Sequence, residues 1–475
     1  MRTRGHTHSA FALAAVVILA LAACGEGVQQ SPGDGASPGD GGGDGEGLVF
    51  WSAEDNTDRI EATQVIVDRF AEETGIQVEL VAIAEQDLAT QVTAAVAGDT
   101  LPDVFGALSL GFTHSLAADG LVNYDAHQAV VDALGADTFS QSAIDLVTTN
   151  DGLAGVPSDS WAQLLVYRRD LFEEAGLDAP TTYETILTAA RELNTGDQAG
   201  IVLATGNDLG FVQQTFEYFA VANNCDVVDD EGNVAIASEQ CAETFQFYTD
   251  LVNDGSVTGA QDADTTRAAY FAGDAAMIVW SSFLLDELAG LRDDALPTCP
   301  ECEDDPLFLA QNSGVVTAIQ GPSADEPSQF GEMVSFVISD SAQADQAQQF
   351  VEFMMSDGYV DWLALAPEGK FPTRLGTADN PTEYADAWGE LEAGVDRKQP
   401  LGEVYDAETI EALTTSSETM KRWAFSQGQG GLAGALLTEV PVPNALVLAL
   451  EGSLSPEEAA QEAQAAVEEL QAALE

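Results

Sequence analysis

From residue 47 onward, short apolar runs alternate with longer stretches in which apolar side chains recur every three or four positions. "GLVFWS" at 47–52 is β-branched and aromatic and predicts a buried strand. A helix predicted from Asp58 carries Ala62, Val65, Ile66 and Phe70 on one face and stops at Gly75. "IQVELV" at 76–81 alternates as a second strand. A second helix opens at Asp87, runs through Leu88, Val92, Ala95 and Val96, and ends at Gly98, before a third short strand in "LPDVFGA". Strand, helix, strand, helix, strand predicts βαβ units and a parallel sheet.

The same texture persists downstream. "GLAGVPSDSWAQLLVYRRDLFEEAGL" at 152–177 predicts a strand ending near Tyr167 and then a short helix. Residues 183–193 form an amphipathic helix behind two possible caps, Thr181 and Thr182, and "GVVTAI" at 314–319 reads as another strand. The last helix has Ser455 as N-cap, Pro456 at its first position and Glu458 closing a capping box, with a stripe of Ala459, Ala463, Ala466 and Leu470. No tandem repeat of short period is present.

The first 47 residues follow other rules. Arg2 and Arg4 precede an apolar run at 11–21 too short to span a bilayer comfortably, and the small residues Ala22 and Ala23 lead to Cys24. This is the order of a secretory signal, 1–23. "LAAC" at 21–24 resembles a bacterial lipobox, in which Cys24 would become the lipid-bearing first residue, with enough acyl chains for stable anchoring. An ordinary signal with a chance cysteine is the alternative. Residues 24–47 are rich in Gly, Pro, Ser and Asp, with nothing to repay ordering, and read as a flexible tether. "GASPG" at 35–39 matches the G-x-S-x-G pattern of serine hydrolases, but both its flanks are tether rather than strand and helix.

Removing the signal leaves 475 − 23 = 452 residues, which suits two domains better than one. Later segments contain no apolar run long enough to predict a membrane span. Charge changes the picture most: 15 Lys+Arg against 80 Asp+Glu give −65, and without Arg2 and Arg4 the mature chain carries 13 − 80 = −67. Such a field repels nucleic acid and anionic lipid, and it strains the compact state unless salt screens it. The acids are spread along the chain, so they read as a solvated surface of the kind seen in proteins adapted to high salt. Four cysteines follow Cys24. Cys225 and Cys241 flank a turn at 229–232, and Cys299 and Cys302 form "CPEC". Outside the cell an even count favours disulfides; of three pairings, 225–241 with 299–302 is preferred, with a zinc site as the rival.

The order of several segments resembles the family 1 extracellular solute-binding proteins, the sugar-binding subunits of ABC importers similar to maltose-binding proteins. The resemblance is carried by "FWSAEDNTDRIEATQVIVDRFAEETGIQVELV", "TLPDVFGA", "GLAGVPSDSWAQLLVYRRDLFEEAGLDAPTTYETI", "YFAGDAAMIVWSSF", "NSGVVTAI", "SAQADQAQQFVEFMMS", "GKFPTR" and "LSPEEAAQEAQAAVEEL". No one of them decides it; their order does. The resemblance implies an α/β fold of two lobes, each a mainly parallel sheet flanked by helices, joined by crossing strands. One lobe would be 48–156 plus 313–372, the other 157–312 plus 373–475. It implies a monomer held outside the cell by its lipid, a small-molecule sugar as ligand, permease subunits of an ABC importer as partner, and no cofactor or metal.

Sugars stack their C–H faces on aromatic rings and offer hydroxyls to directional donors and acceptors. At the positions where the resemblance places cleft contacts stand Trp51, Ser52, Glu54 and Asp55 after the first strand, and Gln86 at the start of the second helix. Leu108 and Ser109 occupy a position where relatives place an acidic or polar contact. Ser158, Asp159 and Trp161 follow "GVP"; Trp280 and Phe283 follow Met277; Asn312 and Ser313 lie at a crossing strand, and Arg374 near a hinge. Core packing is the alternative for Trp51, Trp280 and Phe283, and turn or helix capping for Gln86 and Asp159. The set suits a neutral polyol better than a phosphate, metal or peptide. Only two histidines, His114 and His127, remain after the signal, and they are expected at the surface; no H-E-x-x-H or P-loop appears, and "GQGGLAG" at 428–434 follows no clear strand. The competing classes are a binder of another polar solute, a surface receptor on the same fold, and a glycoside hydrolase built on an accidental carboxylate pair.

Overall fold

The computed structural model describes residues 47–474 apart from 207 and 258. The signal and Cys24 lie outside the described residues, as does all of the tether but its last residue.

The predicted βαβ start is present. Strand β1 (Leu48–Ser52) is followed by α1 (Thr57–Thr74), β2 (Val78–Ala82), α2 (Glu85–Gly98) and β3 (Val104–Ser109), and β1 pairs in parallel with both β2 and β3. Helix α1 starts one residue before Asp58 and is capped by Asn56: its side chain accepts the Asp58 amide, and Gly75 ends the helix at φ 77°. The face α1 buries is Thr63, Ile66, Val67 and Phe70, while Val65 is 67 % exposed. Thr63 can sit inside because its hydroxyl donates to the Arg59 carbonyl, so the buried stripe keeps regular helical spacing despite a polar member. Phe50, Phe70 and Phe350 pack edge to face beneath it, with centroids 5.1 Å apart.

Helices α3 (Leu110–Ala118) and α4 (Tyr124–Leu134) follow, then a small hairpin of β4 (Thr148–Thr149) and β5 (Gly152–Leu153). His114 and His127 correct the surface expectation, because both are buried. His127 Nδ1 donates to the Leu153 carbonyl at 2.8 Å and its Nε2 accepts the Ile338 amide at 2.7 Å. The ring satisfies two backbone groups between elements, and burial holds its pKa down at about 4. His114 Nε2 meets the Leu146 carbonyl at 2.8 Å.

The long strand β6 (Val156–Arg168) organises the rest. Its first half pairs antiparallel with β9 (Gly331–Ile338) and β10 (Phe371–Pro372). Its second half pairs antiparallel with β7 (Met277–Ser281) and β8 (Ser313–Val316). Strand β9 also pairs antiparallel with β3, giving the order β10-β6-β9-β3-β1-β2 with β7 and β8 beside the far half of β6. The sheet is therefore mixed: parallel where helical crossovers connect β1, β2 and β3, antiparallel wherever the later strands return to it. In this two-lobed α/β molecule one strand, β6, serves two half-sheets.

Both disulfides form, Cys225–Cys241 and Cys299–Cys302. The C-terminal helix (Pro456–Leu474) begins as expected, with the Ser455 amide donating to Glu458 and the Glu458 amide to Ser455. It buries Ala459, Ala460, Ala463 and Val467, so the stripe runs one residue further round than expected at its distal end. Among the described residues no single helix is long and apolar enough to cross a membrane.

Candidate functional site

The carboxyl ends of β1 and β3 open onto a cavity of about 340 Å³ that also meets β6, β9 and the turn Pro367–Gly369. Strand ends of this kind are where open α/β sheets gather ligand groups. A larger groove of about 740 Å³ beside the stacked rings of Tyr183 and Phe247 lies on helices, away from these ends.

Local backbone shape aims the lining. Strand β3 loses register with β9 between Phe105 and Leu108, and Ala107 there has φ 56°. The bulge turns Ala107 and Ser109 toward the cavity. Gly106 is required beside it, since a Cβ would fall 2.6 Å from the Phe50 ring.

Charge is concentrated at the floor. Lys370 Nζ meets Glu54 Oε1 at 2.7 Å and Asp159 Oδ2 at 3.2 Å, and Arg59 binds Glu54 Oε2 at 2.9 Å. Asp159 Oδ1 accepts Ser158 Oγ at 2.6 Å and Trp362 Nε1 at 2.7 Å, while the Lys370 ammonium sits 4.4 Å over the Trp362 ring. Burial alone would raise the Glu54 pKa; the charges of Lys370 and Arg59 outweigh it and hold the pKa at about 2. Burial likewise works against the Lys370 ammonium, but Asp159 and Glu54 raise its pKa. Glu54 and Lys370 stay ionised because each is paired.

A second clasp stands at the other side. Arg422 is buried and donates to Glu332 Oε2 at 2.6 Å, Glu217 Oε1 at 3.1 Å and the Gly331 carbonyl at 3.1 Å. Glu332 lines the cavity and its Oε1 accepts the Leu110 amide at 2.9 Å. The Arg422 guanidinium lies 4.8 Å over the Phe330 ring, which in turn meets the half-buried Trp161 edge-on at 6.1 Å. Trp161 and Phe283 supply the aromatic walls. Glu85, at the start of α2, is pushed up first by partial burial and then by the charges of Glu332, Asp55 and Glu54.

Of the residues singled out from sequence, Glu54, Asp55, Gln86, Ser109, Asp159, Trp161 and Phe283 line this cavity. Others support it or lie away. The Trp51 ring packs on Phe105, and Ser52 Oγ accepts the Glu54 amide. Ser158 holds Asp159, and Leu108 is core. Trp280 Nε1 donates to the Ala263 carbonyl and its ring receives Arg267, so it packs on the helix Ala263–Phe271. Asn312 donates to the Phe308 carbonyl, Ser313 bonds the Tyr270 hydroxyl, and Arg374 is buried against Thr138, Met355, Tyr384 and Leu134. Sequence reasoning missed Arg59, Glu85, Glu332 and Lys370. "GKFPTR" contained Lys370, and scarcity was its signal: a buried cation in so acidic a chain is bound to have a purpose-built partner.

A two-lobed α/β fold with a polar, aromatic-walled cavity at its strand ends defines a solute-binding protein. The chain belongs to the bacterial extracellular solute-binding protein family, whose pattern it matches over residues 53–361. It is 25 % identical over 357 residues to YcjN of Escherichia coli (strain K12), named as an ABC transporter periplasmic-binding protein, covering 72 % of this chain and 78 % of that one. In fold it is similar to the sugar-binding protein MalE of Xanthomonas citri, with TM-score 0.69, 19 % identity and coverage of 90 % and 98 %. It is also similar to the cyclic alpha-maltosyl-1,6-maltose binding protein of Arthrobacter globiformis, with TM-score 0.67, 18 % identity and coverage of 89 % and 98 %.

Proposed function

We propose that the protein captures a carbohydrate in this cavity and delivers it to the permease subunits of an ABC importer, held on the extracytoplasmic face of the membrane by a lipid on Cys24. The observation that carries the ligand class is the lining itself. Two aromatic walls stand beside five carboxylates, Glu54, Asp55, Glu85, Asp159 and Glu332, while both lining cations, Arg59 and Lys370, are already engaged by Glu54 and Asp159. Such a surface accepts hydroxyl hydrogens and stacks sugar faces, and its acidic excess over two already paired cations disfavours a phosphate ester. The Xanthomonas neighbour, named a sugar-binding protein, and the Arthrobacter neighbour, named for cyclic alpha-maltosyl-1,6-maltose, support the same class.

The lobes are proposed to meet at three crossings: inside β6, between β8 and β9, and after β10. The change of β6 partner from β9 to β7 near Ala162 supports a first crossing there, and the pairing of β8 with the β7 side of β6 supports a middle crossing past residue 316 rather than at 313. Closure over the ligand would then follow from its better contacts in the closed form.

A thermal-shift and calorimetric screen of neutral mono- to oligosaccharides tests the reading, since a ligand at a hundredfold its dissociation constant adds about 2.7 kcal/mol. Stabilisation by a phosphate ester or a peptide, with none by any sugar, would replace it.

A further inference from the structure

Behind the wall made by Phe283 and Gly369 lie two carboxyl groups that the cavity does not use. Asp286, on the helix Leu284–Leu288, is fully buried, and Glu368, in the turn Pro367–Gly369, is 6 % exposed. Both Asp286 oxygens and Glu368 Oε2 are buried without a hydrogen-bond partner. The cations around them are engaged elsewhere: Arg292 with Asp294 at 3.1 Å, Arg267 with Glu287 at 2.8 Å, Arg59 with Glu54 at 2.9 Å, and Lys398 with the Gly394 carbonyl. The Tyr405 hydroxyl, also close, donates to the Leu285 carbonyl at 2.7 Å. An ionised carboxylate in such a place is costly unless paired, and protonation is the ordinary escape.

The two acids feel each other. Burial, and after it the charge of Glu368, push Asp286 up to about 8; Arg292 opposes this and Glu287 adds to it. Burial pushes Glu368 up as well, against Arg59, Lys398 and Arg292. Weak help from the Glu287 amide and from the Glu368 amide does not reverse either direction. The segments that carry them touch: a Cβ on Gly369 would fall 2.3 Å from the Phe283 ring. Under the lobe boundaries proposed above, Glu368 belongs to one lobe and Asp286 to the other.

We propose that Asp286 and Glu368 form a proton-binding site across the lobe boundary, which takes up a proton from solvent when the lobes close and returns it when they open. Closure removes the carboxyls from water, so the closed form holds the proton more tightly than the open form. The sign follows from a carboxyl raised on closure. Its full support for the closed state is present below the ordinary carboxylate range, near pH 4, and is lost as pH rises toward about 8. Over that window each proton shifts the closed-to-open ratio by up to about tenfold per pH unit.

The test needs no sugar, so its outcome is separate from that of the carbohydrate reading. Small-angle scattering of the full chain bearing Cys24→Ala, in about 1 M NaCl, would compare the radius of gyration at pH 5.5 and 8.5. The parent should expand at the higher pH, and Asp286→Asn and Glu368→Gln should each remove most of that expansion. Asp226, held up at about 6 by burial, titrates in the same window but is common to all three chains and cancels in the comparison. No expansion in the parent, or equal expansion in the variants, overturns the proposal. Should Asp286→Asn not fold, Glu368→Gln carries the comparison alone. A third arm adds calcium chloride at pH 8.5; compaction by calcium that Glu368→Gln abolishes would assign the pair to a cation and overturn the proton.

Discussion

Glu54 keeps its charge where burial opposes it, and this makes it a stability element as well as a cavity wall. Its pKa, about 2 in the folded chain against 4.5 ordinarily, means its contribution is complete above about pH 4.5 and is lost as pH falls toward 2. The shift corresponds to on the order of 3 kcal/mol. Glu54→Gln should cost a few kcal/mol at pH 7 by urea denaturation, and should flatten the acid limb between pH 4.5 and 2. His127 works in a higher window. Held at about 4 by burial, it supports the fold fully above its ordinary 6.5 and withdraws that support as pH falls to 4. For ligand, Trp161→Ala should weaken sugar binding by about ten- to a hundredfold through lost stacking, read by calorimetry, with a smaller effect on melting without ligand. A variant that melts early yet binds normally would make Trp161 a structural ring. At this scale the sequence was legible at strand ends, where Glu54 and Asp55 follow β1 and Ser109 closes β3; Asp159 and Trp161 reach the cavity from within β6. It was illegible where function depends on a partner far along the chain, as for Lys370 and Asp159, separated by 211 positions.

Among the elements, helices were read best, because caps and stripes are local: Gly75, Thr182 and Ser455 mark ends that the fold uses. Strand pairing was harder. The alternation that marks a strand does not say which strand lies beside it, so the antiparallel return of β9 between β3 and β6 has no local signature. Residues 416–427 were assigned no element from sequence, yet they deliver Arg422 to the clasp with Glu217 and Glu332. Arg422→Met leaves two carboxylates facing each other in the interior and should destabilise by about 3–5 kcal/mol. Adding Glu217→Gln and Glu332→Gln should recover much of that loss, because the cost lies in unpaired charge; chemical denaturation of the single and triple variants checks it. Gly106→Ala, in the bulge against Phe50, should cost about 1–3 kcal/mol by the same measurement.

For the whole molecule, charge dominates. The chain has 80 acids against 15 basic residues, so like charges far outnumber opposite ones. Their repulsion reaches about 10 Å at 0.1 M salt and about 3 Å at 1 M. Melting temperature should therefore rise between those conditions, and an unchanged value would show that repulsion is not limiting. The buried clasps should hardly contribute to that rise, since salt screens buried pairs poorly. Composition alone carries this prediction, but it says nothing of the few cations drawn inside.

Strand β6 has a further consequence in time. Its neighbours β9 and β10 begin at residues 331 and 371, so the first half-sheet stays incomplete until most of the chain has been made. β9 fills the slot between β3 and β6; before it arrives, β3 and β6 both present unpaired edges. The first half cannot finish before the second, because β7 and β8 lie in the chain between its own strands. Such non-local pairing is slow to form, as the loop entropy is lost before contacts repay it. A nascent chain emerging amino end first would stay open and threadable for most of its length, the condition a polypeptide must keep if it is to leave the cell before it folds.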